Sequence, residues 1–291
     1  MADELVVVIP EEETEEMKGN LARRSTDHME RWAPRTELGR KVKSGEIRDI
    51  NEVLDSGKKI LEAEIVDILV PNLETDLLLI GQAKGKFGGG KRRVFRQTQK
   101  KTAEGNKPSF ATIAVVGNKD GMVGIGYGKA RETVPAREKA IRNAKLAIVK
   151  VRRGCGSWRC GCREPHTIPF VVEGSVGSVV VTLIPAPKGT GLAVGSDCKK
   201  VLALAGINDI WSKTRGQTRS RLNMINALFS AVKQLSMIKV QPVHTERLGL
   251  VEGATGKKNE TVEHVASGRP EQRRRGNANR KRENRGRVER K

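Results

Sequence analysis

Aromatic side chains are scarce in this sequence, which has three Trp, one Tyr and five Phe among 291 residues. Proteins that grip single-stranded nucleic acid by stacking bases on exposed rings need more of them, which argues against RNA-recognition-motif and single-strand-binding modes. Long apolar runs are missing too. Stretches such as 77–80 (Leu-Leu-Leu-Ile) and 179–184 fall far short of the ~20 residues that span a bilayer, so no membrane partner is expected. The start, 1–10, has an apolar centre but no basic segment ahead of it, which does not suit a secretory signal. The four cysteines, three of them crowded together, do not make a disulfide framework, and a reducing cytoplasm is the expected setting.

Acidic residues are outnumbered, 34 against 55 Lys and Arg, giving a formal charge of +21. A field of that size costs self-repulsion in the folded state, and its simplest use is to bind a polyanion, most commonly nucleic acid. The imbalance is not even. Residues 1–20 carry seven acids against Lys18, whereas 241–291 carry fourteen basic and seven acidic residues. The segment 267–291 holds almost nothing apolar and cannot build a core, so a largely disordered basic tail is expected over 241–291. A largely disordered acidic leader is expected over 1–32.

Between these ends, helical and strand signals alternate. Leu61, Ile65, Ile68 and Leu69 recur at helical spacing until Pro71 stops them. A glycine-rich basic loop follows at 85–93, then a strand over 94–101. Residues 109–116 and 122–127 flank the turn-rich 117–121 and read as a hairpin. Thr133 is suited to cap the next helix, with Pro135 in its first turn. That helix and its continuation place Ala140, Ile141, Ala144, Ala147, Ile148 and Val151 on one face. Beyond 154–165, paired strands are expected over 167–173 and 178–186. A short helix capped by Asp197, a strand over 207–213 and a last amphipathic helix marked by Leu222, Ile225, Leu228, Phe229, Val232 and Leu235 follow. Helix, strands, helix, with a Gly-Lys-rich turn before the last helix, is the order of a double-stranded-RNA-binding domain.

Residues 85–92 miss a phosphate-binding P-loop by one position: Arg92 stands where Ser or Thr would hold Mg²⁺. Gly124, Gly126 and Gly128 resemble half a dinucleotide fingerprint, but the third glycine spacing and the downstream acid are missing. The most specific feature is Cys155-x₄-Cys160-x-Cys162-x₃-His166, four good zinc ligands among three glycines. Two readings stand: a closed structural zinc site, or reduced thiols beside a hydrogen-bonding His. No Ser/His/Asp or Cys/His constellation is present, so no enzyme and no small-molecule substrate are expected. Cys198 reads as core.

The stretch 109–132, with Val115-Val116-Gly117, Gly121, Val123-Gly124 and Gly128-Lys129-Ala130-Arg131-Glu132, resembles the signature of the ribosomal protein S five family. Residues 183–191 (LIPAPKGTG) and Leu204-Ala205-Gly206-Ile207 resemble its second domain, and 153–166, with its cysteines, resembles the archaeal form. The resemblance implies an α+β protein. Its first domain is an α-β-β-β-α unit like a double-stranded-RNA-binding domain, over 60–153 and preceded by a helical extension over 33–59. Its second is a β-α-β unit with a left-handed crossover over 167–240, joined to the first by the Cys/His loop 154–166. It also implies a structural constituent of the small ribosomal subunit, in the cytoplasm. Such a constituent binds small-subunit rRNA, touches small-subunit proteins four and eight, and lies near the mRNA entrance, where decoding accuracy is influenced. Carried over by position, Lys100, Lys101 and Lys107 are cations of the RNA-reaching loop 96–107, and Gly126, Gly128, Lys129 and Arg131 form the turn. Charge adds Lys91, Arg92, Arg93, Arg96, Lys119, Arg137, Lys188, Lys213, Arg215, Arg219 and Arg221 as expected RNA contacts. The insert 85–93 and the Arg-rich tail depart from the family pattern.

Overall fold

A computed structural model describes residues 32–70, 72–83 and 92–253. The acidic leader up to residue 31, Lys91 with most of the glycine loop, and the tail from 254 onward lie outside the described residues.

Among the described residues, three short helices come first: α1 (Glu37–Ser44), α2 (Ile50–Asp55) and α3 (Ala63–Leu69). Thr36, in extended conformation, accepts a 3.1 Å hydrogen bond from Gly39 N on its hydroxyl and so starts α1. Val42, Ile50, Val53, Ile65 and Val66 are buried together with Met122 and Ile148, which pins these helices to the strands that follow. Leu61 precedes α3 and is 66% exposed, so it does not join Ile65 on the buried face.

The first sheet is built from β1 (Glu74–Leu77), β2 (Arg96–Thr102), β3 (Gly105–Gly117), β4 (Met122–Ala130) and, after helix α4 (Thr133–Leu146), β5 (Ile148–Lys150). Its order is β1-β3-β4-β5, with β2 also on β3. Strand β3 pairs β2 over residues 105–111 and β1 over 114–117 along one edge, and gives its other edge to β4. The four-residue β1 is a strand the sequence does not announce, since Glu-Thr-Asp-Leu has little intrinsic strand preference and is recruited by the free edge of β3. Among the described residues, four strands accordingly lie between α3 and α4 rather than the three expected.

Helix α4 lies on β4 by the matching of two stripes. Ala136, Ala140 and Ala144 recur every four residues on the helix and are fully buried. Gly124, Gly126 and Gly128 recur every two along the strand, all on the helix side. A Cβ on Gly126 would sit 2.1 Å from Ala144 N, and one on Gly128 would sit 2.2 Å from Ala136 O. The glycines are bare so that the helix backbone can touch the strand. Thr133 is the first helical residue, and the cap position is Glu132 with no side-chain cap bond. The helix ends at Leu146, so Ile148 enters β5 instead of extending the apolar face.

After β6 (Arg152–Arg153), the second sheet collects β7 (Val172–Val176), β8 (Val179–Pro185), β9 (Leu192–Ala193) and, beyond helix α5 (Ser196–Leu204), β10 (Ile210–Arg215). Its order is β7-β8-β10-β9, antiparallel except for the parallel β9/β10 pair that α5 connects. Helix α6 (Arg221–Met237) covers the sheet through Ile225, Leu228, Val232 and Leu235. Strand β10 begins at Ile210, three residues later than its apolar start suggests, because Gly206 (φ 79°) turns the chain and Ile207 is buried as a core residue. Likewise 167–171 is a connection and β7 begins only at Val172. Asp197 sits inside the first turn of α5, whose cap position is Gly195.

One apolar core joins the two sheets: Leu78, Ile113, Val115 and Val123 pack in the same cluster as Val179, Leu183, Leu202 and Ile207. The β3–β4 turn reinforces it, with Lys119 N donating to Leu204 O (2.9 Å) and Gly121 N to Ala205 O (3.1 Å). Those are carbonyls that the end of α5 would otherwise leave unmet.

Residues 241–253, expected within the disordered tail, instead form helix α7 (Pro242–Leu248) and strand β11 (Val251–Glu252), which pairs antiparallel with β6. Gly249, at φ 57°, makes the turn between them. Arg152 explains the order: it is buried, donates to Ile238 O, and is ion-paired with Glu252. Such long-range partners leave no periodic trace in sequence.

Candidate nucleic-acid interface and metal centre

Strands β2 and β3 form a two-stranded arm. Residues 96–101 of β2 and 105–108 of β3 are exposed, whereas β3 is buried from Ala111 onward. The segment 96–107 is therefore a paired hairpin rather than a loop, closed tightly between Thr102 and Gly105. Its register sets Lys100 directly opposite Lys107, and alternation puts Arg96 on the same face with Lys101 on the other. Like charges opposite each other on a strand pair are destabilising. Lys107 gains partial relief from Glu104 at 2.8 Å, a pair with both side chains largely exposed. The arm thus presents closely spaced positive charge to solvent.

Of the other expected cations, Arg92, Arg93, Lys129, Arg131, Arg137, Lys213, Arg215 and Arg219 are exposed. Lys129 lies within β4 and Arg131 just after it, so the expected turn is strand up to Ala130. Gly126 and Gly128 are buried under α4 and unable to meet RNA; their role is helix packing. Three cations are engaged by acids: Lys119 with Glu74 (2.5 Å), Lys188 with Glu164 (2.6 Å), and half-buried Arg221 with Asp197. Arg152 and Arg153 are internal, the latter paired with Asp120, and contribute nothing to an outer surface. Lys139 on α4 is exposed as well.

The cysteine segment folds back on itself. Cys155, Cys160, Cys162 and His166 bring their ligand atoms within 4.8 Å of one another. Cys160 Sγ is 3.3 Å from Cys162 Sγ and 3.8 Å from His166 Nε2. His166 Nδ1 is 2.9 Å from Asp209 Oδ2, and both side chains are buried. Asp209 is thereby part of the site; 43 residues separate it from His166. Burial, with hydrogen bonds from the neighbouring cysteines, pushes the Cys155 thiol up to about 11. Backbone N–H groups of Lys188 and Cys162 draw Cys160 down to about 6. Cys198 lies apart, buried, with its thiol raised to about 12 by that burial and by neighbouring Asp197. Trp158, 81% exposed, rides on the outside of the loop with Arg159 stacked 4.6 Å from its ring centre.

Two family models match the chain. Ribosomal protein S5, N-terminal domain, covers residues 80–152, and Ribosomal protein S5, C-terminal domain, covers 174–247. Full-length relatives agree. A small ribosomal subunit protein uS5 from Nanoarchaeum equitans is 48% identical over 227 residues, 78% of this chain and 97% of the relative. Its counterpart from Pyrobaculum arsenaticum is 50% identical over 212 residues, 73% of this chain and 98% of the relative. That from Methanococcus maripaludis strain C6 is 47% identical over 224 residues, 77% and 91% of the two chains. The molecule is thus of the class of two-domain α+β ribosomal proteins, structural components without catalytic activity. Within that class, the chain belongs to the ribosomal protein S5 family, in its archaeal form.

Proposed function

We propose that the chain is a structural constituent of the small ribosomal subunit that binds small-subunit rRNA through its basic surfaces. The observation that carries this reading is the exposed β2–β3 arm, where Lys100 faces Lys107 in a pairing that is unfavourable until phosphates neutralise it. In this reading the first unit acts as a double-stranded-RNA-binding-like domain, with Lys129, Arg131 and Arg137 beside the start of α4 meeting phosphates across an A-form groove. The β9–α5–β10 connection is the family's left-handed crossover. Arg92, Arg93, Arg96, Lys101, Lys213, Arg215 and Arg219 are further phosphate contacts, with Lys91 in the glycine loop. Lys119, Lys188 and Arg221 join them by exchanging their acid partners for phosphate.

Small-subunit proteins four and eight are the neighbours the family resemblance supports, with the mRNA entrance close by and decoding accuracy as the consequence. The Cys/His cluster has no catalytic part in this reading. The domain division at 154–166 marks a joint in the chain, although the core is continuous across it. Sedimentation of a cell extract on a sucrose gradient tests the proposal. Quantitative co-migration with small subunits through a moderate-salt wash is expected. Migration in light fractions would instead mean a free RNA-binding factor.

A further inference from the structure

We propose that Cys155, Cys160, Cys162 and His166 hold one zinc ion in a closed tetrahedral site that ties the 154–166 loop to the second sheet through Asp209. With Zn–S near 2.3 Å and Zn–N near 2.0–2.1 Å, a tetrahedron has edges of about 3.8 Å between sulfurs and about 3.6 Å from sulfur to nitrogen. The observed 3.3 Å and 3.8 Å, with all four atoms inside 4.8 Å, bracket those edges. Three thiolates and an imidazole form a soft donor set that suits zinc and does not suit Ca²⁺ or Mg²⁺, which take oxygen.

The surroundings are those of a metal site rather than of idle thiols. Asp209 accepts from His166 Nδ1, which fixes the tautomer and leaves the Nε2 lone pair directed at Cys160. Asp209 is itself held, since Gly191 N donates to its other oxygen at 2.8 Å. The fold-back that gathers the ligands has no room to spare: a Cβ on Gly156 would lie 2.1 Å from Pro169 O. With four protein donors no position is open to substrate, so the ion is structural.

The test is zinc content of the full chain, purified without chelator, together with native thiol titration. About one zinc per chain is expected, as a four-ligand closed site binds tightly, with Cys155, Cys160 and Cys162 unreactive until a chelator or mercurial releases the metal. Cobalt exchanged into the site should give the thiolate charge-transfer and d–d bands of a tetrahedral ion. Below about 0.2 zinc per chain, with those three thiols titrating freely, the proposal fails. Loss of a ligand could unfold the loop, so Asp209→Asn, which keeps all four ligands, is the second variant. It should weaken zinc binding by about 10–100-fold with the tetrahedral cobalt spectrum retained. Unchanged zinc affinity would overturn the link to Asp209.

Discussion

Lys100 and Lys107 stand directly opposite each other across the β2–β3 arm, two exposed ammonium groups on one face of a two-stranded ribbon. The free protein bears this repulsion, and in the proposed complex phosphates would relieve it, so stability and binding should respond to the pair in opposite directions. Replacing both by Gln should leave the melting temperature unchanged or slightly raised. Affinity for small-subunit rRNA fragments should fall, and the slope of log K against log salt should become shallower by about one to two. Titrations of RNA binding between low and moderate salt read this out. An unaltered slope would remove the arm from the interface.

The packing of α4 on β4 makes a sharper claim. At Gly126 an added methyl would meet Ala144 N at 2.1 Å and Ala140 O at 2.2 Å, both backbone atoms that cannot swing aside. Gly126→Ala should cost about 3 kcal/mol, the upper end for overpacking, or yield insoluble protein. Gly161, with nothing among the described residues within 4 Å of its Cβ position, is the control. Gly161→Ala should change stability by less than about 0.5 kcal/mol, as surface changes do. Denaturant unfolding of the two variants separates them, and equal costs would mean that the glycine stripe is not the contact described.

This contact also shows what a sequence yields and what it withholds. The hairpin around 117–121, Ala140 and Ala144 on the buried face of α4, and the apolar rows of β8 and α6 follow from local periodicity and are found where the pattern puts them. The glycines Gly124, Gly126 and Gly128 are just as visible, yet their spacing alone does not distinguish a phosphate-binding turn from a strip cleared for a helix. Only the partner element decides. The same holds for Asp209, whose place beside His166 depends on the second sheet returning to the loop, and for Arg152, whose charge is spent internally on Glu252. Charge counting finds the arm but overstates the surface. What was illegible was in each case a pairing across long sequence separation.

Acid should test the start of the described chain. Glu62 is buried and accepts hydrogen bonds from the backbone N–H of Arg35 (2.9 Å) and Thr36 (2.7 Å), locking the entry to α1. Burial pushes its carboxyl up, but the hydrogen bonds from Thr36, Arg35 and Trp32 together outweigh it and hold the group below its ordinary 4.5. A carboxylate with a depressed folded pKa gives stability that is present above its unfolded pKa and lost as pH falls through the folded one. Glu62→Gln should therefore cost about 1 kcal/mol at pH 7, with the difference from the unmodified chain closing as pH falls below 4.5 and through the lowered folded pKa. Urea unfolding of both proteins across pH 3–7 measures that difference. A gap that stays constant down to pH 3 would show that the charge of Glu62 is not what holds Arg35 and Thr36.

Removing the ion from the Cys/His loop should loosen the end of the ordered chain. Cys155 N donates to Leu248 O at 2.8 Å, and Gly249 lies so close to Arg163 that a Cβ there would sit 1.9 Å from its carbonyl oxygen. Helix α7 buries no side chain of its own, so its position depends on this loop and on the β6–β11 pairing. Without metal the loop loses its internal crosslink, and the local opening of 241–253 becomes easier. Tryptic cleavage at exposed Arg247 should accelerate by about tenfold after chelation, while the core strands stay protected because opening free energies differ between regions of one fold. Readdition of zinc should restore the slow rate. If zinc release is verified by a colorimetric chelator and cleavage at Arg247 keeps its original rate, the loop does not hold the C-terminal segment, and the Arg152–Glu252 pairing alone accounts for its order.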